Sequence, residues 1–189
     1  MGKIQYNSPV ILTFSLLCAG LFMIDSFLFG HTLTNYLFIL YPSHALHTLV
    51  GLPTLVTYAI GHATTEHLMG NLSIILLVGP AVEERIGSQR LLMLMLATAL
   101  IGGLLQALFF SEGLLGASGI VFMLMVLSSF ANAKKGHIPL TFILVVVLFV
   151  GKEVLASFQH DQVSQFAHII GGICGSIFGF TQTNNQQTV

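Results

Sequence analysis

The stretch EGLLGASGIVFMLM, residues 112–125, runs from a charged turn into one of the most apolar segments of the chain. Ser118 stands in it between Ala117 and Gly119, where a leucine would suit the apolar surroundings better. A polar residue inside a membrane-embedded segment is costly and is a functional candidate by default. The stretch therefore predicts an apolar helix whose first turn carries Ser118 as a candidate functional residue.

The rest of the chain has the same apolar character. Of its 189 residues, 54% are hydrophobic and 7% are charged, whereas a soluble domain carries about 25% charged residues. Composition therefore places the chain in the membrane class, and its length fits a single domain over residues 1–189. The net charge of -1 argues against nucleic acid as a partner. Cys18 and Cys174 form neither a metal-ligand spacing nor a disulfide framework.

Apolar runs near the spanning length, divided by turn and charged residues, predict an all-α membrane protein with a six-helix transmembrane bundle. Residues 31–61 contain Pro42, Pro53 and three histidines, and they predict a loop in or on the membrane interface. Residues 182–189 predict a polar, disordered tail. The predicted spans are residues 8–30, 62–82, 90–110, 114–131, 138–158 and 164–181.

The basic residues predict the orientation of the bundle, because positive charge accumulates on the cytoplasmic side. Five of the six lie on one side of the predicted spans, and only Lys152 lies on the other. Both termini are therefore expected in the cytoplasm, with Ser118 near the outer surface. The five are Lys3, Arg85, Arg90, Lys134 and Lys135.

Polar side chains recur at one depth in three of the predicted spans. His67 and Asn71 are spaced i, i+4, so they share a helix face. Both can donate hydrogen bonds to a developing negative charge, as can the backbone N–H of Ser118. The set comprises His62, Glu66, His67 and Asn71 in the second span, Ser118 in the fourth and His168 in the sixth.

A ladder of small residues in the sixth span predicts close packing against the fourth. His168 lies three residues before the first glycine of the ladder, near the same face. Docking the two helices would bring Ser118 and His168 within hydrogen-bond reach. A serine beside a histidine base is an activated nucleophile, so the pattern predicts a catalytic dyad. The ladder consists of Gly171, Gly175 and Gly179.

These motifs resemble those of the rhomboid intramembrane serine proteases, over residues 57–181. The motifs are HATTEHLMGN (62–71), GPAVEERIG (79–87), GASG (116–119) and AHIIGGICG (167–175). The resemblance implies that Ser118 is the nucleophile and His168 the general base, with His67 and Asn71 stabilising the oxyanion. It implies hydrolysis of peptide bonds in or near transmembrane segments of other proteins in the lipid bilayer, without a cofactor or a metal.

The resemblance also implies supporting roles and a location. The chain resembles the minimal six-span bacterial form, which implies the bacterial inner (plasma) membrane. In the family, the fifth span and the following loop, here 138–163, gate lateral access. Many members carry a Trp-Arg pair in the first loop, which this chain lacks, and a tyrosine where Phe122 stands. Structural roles are expected for His62, Glu83, Gly116, Gly119, Phe122, Gly171 and Gly175.

Two other classes of function stay open. The chain is alternatively a non-catalytic rhomboid-like protein that binds membrane partners. Such proteins usually lack the serine or the histidine of the dyad, whereas this chain has both Ser118 and His168. It is alternatively a small channel, transporter or metal site that uses histidines of the second and sixth spans. That reading leaves Asn71 and Ser118 without a role. An α/β-hydrolase elbow is excluded, because Ile120 breaks the GxSxG pattern.

Overall fold

The computed structural model of the chain describes residues 4–131, 133–134, 136–150 and 162–185. The regular structure in those ranges is helical, apart from an isolated antiparallel bridge between Leu40 and Leu114. Three of the described helices are long and apolar enough to cross a membrane, namely Pro9–Phe29, Thr65–Ile86 and Ser88–Phe109. The prediction of an all-α membrane protein is confirmed.

Six main helices lie within the described residues. They are α1 (Pro9–Ile24, continued by π-helical Asp25–Phe29), α2 (Thr65–Ile86), α3 (Ser88–Phe109), α4 (Ser118–Ser128), α5 (Leu140–Val145, continued by π-helical Val146–Val150) and α6 (Gln162–Asn185). Shorter helical segments at Thr34–Phe38, Pro42–Ala45 and Thr54–Thr57 interrupt the connection between α1 and α2. Part of the predicted fifth span lies outside the described residues, so the count of six spans stays a prediction.

α2 begins and ends later than the predicted span 62–82. Thr64 is its N-cap, and the Thr64 hydroxyl oxygen accepts a hydrogen bond from the His67 N–H at 3.2 Å. The helix then runs through its charged last turn to Gly87, whose φ of +84° ends it. Hydropathy places the span too early, because the cap and not the first apolar residue decides where a helix begins.

α4 is the central helix of the bundle. Every residue from Gly119 to Leu127 is buried, as expected for a helix that is hydrophobic on all sides. Its 11 residues extend about 16 Å, roughly half the hydrocarbon thickness of a bilayer. Arg85 donates from Nη2 to the Leu127 carbonyl at 2.8 Å, where a cation complements the carboxyl end of a helix.

The connection between α1 and α2 is anchored without a Trp-Arg pair. Asp25 is fully buried, and its two carboxylate oxygens accept the N–H groups of Leu33 at 2.9 Å and Thr34 at 2.7 Å. Further along, Leu40 and Leu114 exchange two backbone hydrogen bonds of 3.0 Å. These contacts tie the connection between α1 and α2 to the end of α1 and to the segment that leads into α4.

α6 extends beyond the predicted sixth span, through Asn185. The hydroxyls of Thr181 and Thr183 donate to the carbonyls of Ile177 and Gly179, each at 2.9 Å. These polar residues therefore continue the helix by bonding to its own backbone. The prediction of a disordered tail over 182–189 is wrong for residues 182–185, and the remaining four residues lie outside the described ranges.

Candidate active site

Ser118 is the first residue of α4 and is half-buried. Two residues earlier, Gly116 has φ +111°, a conformation that side chains rarely adopt. The Gly116 N–H donates to the Tyr58 carbonyl at 2.9 Å, and the Tyr58 hydroxyl donates to the Ala99 carbonyl at 3.1 Å. The turn ahead of Ser118 is therefore held by the connection between α1 and α2, which is itself bonded to α3.

His168 lies on α6 with its ring stacked on Phe122 of α4. The ring centroids are 4.3 Å apart and the planes differ by 8°. Phe122 is four residues after Ser118, so both side chains project from one face of α4. The imidazole thus packs against the face that carries Ser118. Phe122 supplies the ring on which the imidazole stacks.

Glycines, which have no side chain, allow α4 and α6 to pack closely together. A Cβ at Gly171 would overlap the Gly119 carbonyl oxygen, and a Cβ at Gly119 would lie 3.3 Å from the Ala167 carbonyl oxygen. A Cβ at Gly175 would lie 2.7 Å from the Met123 carbonyl oxygen. The two backbones are therefore in direct contact beside Ser118 and His168, as the glycine spacing predicts.

His67 lies against the turn that leads into α4. A Cβ at Gly116 would be 2.5 Å from His67 Nε2, so only a glycine leaves room for the imidazole. The His67 ring is half-buried and meets the His62 ring edge-on, with centroids 5.0 Å apart. His67 is thus held between His62 and the backbone two residues before Ser118.

Asn71 and His62 form a buried polar pair. His62 Nδ1 is 3.0 Å from the Ile60 carbonyl oxygen, and His62 Nε2 is 3.0 Å from Asn71 Nδ2. The first contact needs a proton on Nδ1, which makes Nε2 the acceptor of an Asn71 N–H. Asn71 keeps its second N–H. Both ring nitrogens of His62 are engaged, which disfavours His62 as a metal ligand.

Glu83 lies at the end of α2 far from Ser118. Its carboxylate oxygens accept the N–H groups of Val10 and Ile11, each at 3.0 Å, and the Ser88 hydroxyl at 2.7 Å. Glu83 thus binds both the amino end of α1 and the turn between α2 and α3. At the amino end of α1 its negative charge complements the helix dipole.

Two anchoring residues were missed by the sequence analysis. Asp25 carries a detectable signal, because a carboxylate inside the first predicted apolar run is rare and requires partners. Tyr58 carries no local signal, since its two bonds go to Ala99 and Gly116, which lie more than 40 residues away along the chain.

The groups gathered around the start of α4 have the composition of a nucleophilic site. Ser118 carries a hydroxyl group, and His168 carries an imidazole on the neighbouring helix. His67 and Asn71 are hydrogen-bond donors on a third helix. Such a set can form and cleave an acyl ester and can bind the negative charge that develops on the carbonyl oxygen.

Comparison with known proteins gives the same family throughout. The Rhomboid domain family model matches residues 49–185. Rhomboid-related protein 1 of Caenorhabditis elegans is 35% identical over an alignment of 141 residues that covers 68% of this chain and 39% of the relative. RHOMBOID-like protein 2 of Arabidopsis thaliana is 32% identical over an alignment of 129 residues that covers 63% of this chain and 38% of the relative. RHOMBOID-like protein 4 of Arabidopsis thaliana is 33% identical over an alignment of 127 residues that covers 63% of this chain and 31% of the relative.

The chain therefore spans about two fifths or less of the length of these curated relatives. Its apolar helices and its domain match make it an integral membrane protein. Because the family model covers well over half of the chain, the protein belongs to the rhomboid family.

Proposed function

We propose that the protein is an intramembrane serine endopeptidase that hydrolyses peptide bonds in or near transmembrane segments of membrane proteins. The observation that carries the proposal is the stack of His168 on Phe122, one helical turn from Ser118. Family membership supports the same activity. The substrate class is a transmembrane protein presented within the bilayer.

In the first half of the reaction, His168 accepts the hydroxyl proton of Ser118 while the Ser118 oxygen attacks the scissile carbonyl carbon. A bond forms between that oxygen and the carbon, and the carbonyl oxygen becomes an oxyanion. Collapse of the tetrahedral intermediate breaks the C–N bond, and His168 gives its proton to the departing amine. An acyl ester on Ser118 remains.

In the second half, His168 takes a proton from water as the water oxygen attacks the ester carbonyl. The bond to Ser118 breaks, the Ser118 oxygen regains a proton from His168, and a carboxylic acid leaves. Water must reach the site for this step. The half-buried position of Ser118 and His168 supports such access, because neither side chain is sealed inside the bundle.

His67, Asn71 and the backbone N–H of Ser118 are the proposed donors to the oxyanion. The first N–H groups of a helix have no acceptor within the helix, so the start of α4 suits a developing negative charge. The bond to His62 orients the Asn71 carboxamide and leaves its second N–H for the oxyanion. One such donor is typically worth about 3 kcal/mol to the transition state.

The proposed orientation puts the site on the outer side of a bacterial plasma membrane and both termini in the cytoplasm. It is supported by Arg85 and Arg90, which lie at the ends of α2 and α3 away from Ser118. The bacterial membrane rests on the resemblance alone. An epitope tag at the carboxyl terminus should resist protease in intact spheroplasts. Cleavage there would reverse the orientation.

The test compares fluorophosphonate labelling and cleavage of a model transmembrane substrate in liposomes. Wild type should show both activities, and Ser118→Ala and His168→Ala should lose both, because each variant removes one half of the dyad. Ser111→Ala is the matched control, since Ser111 is an exposed serine in the preceding turn. Equal cleavage by wild type and Ser118→Ala would contradict the proposed nucleophile. Folded wild type that never cleaves would favour the non-catalytic class.

A further inference from the structure

An apolar groove lies between α1, α3 and the connection that joins α1 to α2. Its volume is about 450 Å³. Buried side chains form the floor of the groove, whereas leucines that are about half exposed form its rim. The groove is therefore open to the surroundings of the bundle and reaches inward as far as α4. The floor consists of Ala59, Met95, Ala99 and Ile120, and the rim of Leu17, Leu92 and Leu96.

The groove runs along the helices for about the depth of one membrane leaflet. On α3 its lining extends from Ser88 to Ala99, 11 positions later, which is about 16 Å of helix. That length is about half of the hydrocarbon core of a bilayer. Pro9 and Ser88 are the first residues of α1 and α3, and Ile60 of the connection lines the other end. The groove therefore begins at the membrane surface remote from Ser118 and ends near the middle of the bilayer.

The hydroxyl groups that line the groove already have partners. The Ser88 hydroxyl donates to the Glu83 carboxylate at 2.7 Å, and the Thr13 hydroxyl is 2.9 Å from the hydroxyl of Tyr6. The Thr57 hydroxyl donates to a backbone carbonyl of the connection at 3.4 Å. Water needs several polar partners, and a cavity that lacks them stays dry and takes apolar ligands. The lining therefore calls for an apolar occupant.

The size of the groove distinguishes between apolar occupants. A helix about 16 Å long and 10 Å across fills more than about 1000 Å³, which exceeds the 450 Å³ of the groove. A methylene takes roughly the space of a water molecule, about 30 Å³, so the groove has room for about 15 of them. An unfilled groove would deprive its lining side chains of van der Waals contacts. One lipid acyl chain therefore fits, whereas a whole helix does not.

We propose that this groove binds one acyl chain of a phospholipid from the leaflet at the end of the bundle remote from Ser118. The headgroup of that lipid would stay at the level of Tyr6 and Arg90, which are both exposed. Tyrosine is enriched at this level of a membrane, and a guanidinium suits the phosphate of the headgroup.

The groove is separate from the candidate active site but touches one of its supports. Ile120 lies two residues after Ser118, so it projects about 200° away around α4. Ile60 lines the deep end, and its carbonyl oxygen is 3.0 Å from His62 Nδ1. The acyl chain would therefore pack against the segment that orients His62 and, through it, Asn71. The proposal does not rest on the proposed protease activity, because lipid binding requires no cleavage.

The experiment cross-links lipid to the purified full chain in nanodiscs of phosphatidylcholine. A trace of phosphatidylcholine with a diazirine near the middle of one acyl chain is activated by light, and the modified residues are located by mass spectrometry. Leu17→Trp fills the groove from its rim. Leu16→Trp is the matched control, because Leu16 is 62% exposed and Leu17 is 55% exposed, but only Leu17 lines the groove.

We expect the wild-type cross-links to concentrate on the groove-lining residues of α1 and α3. Leu17→Trp should reduce them about tenfold, because an indole and an acyl chain cannot share one close-packed space. Leu16→Trp should cross-link like wild type. Cross-links spread evenly over the exposed leucines of all three proteins would indicate surrounding lipid only and would overturn the proposal.

A second copy of the chain is the competing occupant. A dimer in native mass spectrometry that Leu17→Trp abolishes, without cross-links in the groove, would assign the groove to that second copy and overturn the lipid proposal. If Leu17→Trp does not fold, Leu96→Trp fills the groove from α3. Its control is Met93→Trp, because Met93 is 55% exposed and lies outside the groove. The same criteria apply to this pair.

Discussion

Asn71 shows how a single buried side chain acquires a defined orientation. Its carboxamide has two N–H donors and one carbonyl, and His62 accepts one of those donors at 3.0 Å. The His62 tautomer is in turn decided by the Ile60 carbonyl. The remaining Asn71 donor is therefore presented in a fixed direction, which is the condition for electrostatic stabilisation without reorganisation at the moment of reaction.

If Asn71 is the proposed oxyanion donor, Asn71→Ala should lower kcat about 10²- to 10³-fold with little change in KM, because that bond is made in the transition state alone. Ser73→Ala, at an exposed position on the same helix, is the control and should cleave like wild type. The measurement is cleavage kinetics of a transmembrane substrate in liposomes. An unchanged kcat in Asn71→Ala would remove this residue from the oxyanion site.

At the scale of elements, α4 and α6 form the pair that brings the two halves of the site together. Their contact is made by backbone at Gly119 and Gly171 and continues at Gly175. The two backbones are in direct contact, so any side chain added between them must push the helices apart. Such a displacement of α6 would move His168 relative to Ser118. The glycines thus influence the candidate site only by setting the distance between α4 and α6.

Two adjacent glycines of α6 provide a matched test of this packing. A Cβ at Gly171 would collide with the Gly119 backbone, whereas a Cβ at Gly172 meets nothing within 4 Å. Gly171→Ala should destabilise the protein by about 1–3 kcal/mol and abolish most cleavage, because the helices must separate. Gly172→Ala should be neutral or stabilising by about 0.5–1 kcal/mol, since alanine is the better helix former. Thermal unfolding in detergent and cleavage assays measure both effects, and equal behaviour of the two variants would refute the packing account.

At the scale of the whole molecule, one carboxylate joins three helices at the end remote from the site. Glu83 of α2 binds the amino end of α1 through Val10 and Ile11, and it accepts the Ser88 hydroxyl at the start of α3. Glu83 is 3% exposed, so these bonds are shielded from water. The first three helices are thus fastened at one end by polar contacts and along their length by apolar packing.

Glu83→Ala should lower the free energy of unfolding by about 3 kcal/mol or more, because two backbone N–H groups lose a charged acceptor in a buried place. The neighbouring Glu84→Ala is the control, since Glu84 is exposed. Melting temperatures in detergent would show the difference. Below its melting temperature, Glu83→Ala should retain kcat, because Glu83 is remote from Ser118. A selective loss of kcat without loss of stability would contradict this assignment.

Local periodicity explains why much of the arrangement was predictable. The spacing of His67 and Asn71 depends only on the helical repeat, and so does the face shared by Ser118 and Phe122. The spacing of the glycines in the ladder likewise predicts a close helix contact, even when the partner helix is not known. Helix ends were predicted less well, because a cap such as Thr64 outweighs the hydropathy of the residues around it.

By itself, the sequence determined that this is an all-α membrane protein with polar groups gathered at one depth, and it carries the motifs of the rhomboid family. Tertiary structure alone decided that His62 orients Asn71, that Asp25 anchors the connection between α1 and α2, and that Tyr58 holds the turn ahead of Ser118. The physical reason is the range of the interactions. Helical periodicity acts between residues a few positions apart, whereas these contacts join groups whose meeting depends on how the loops fold and how separate helices pack.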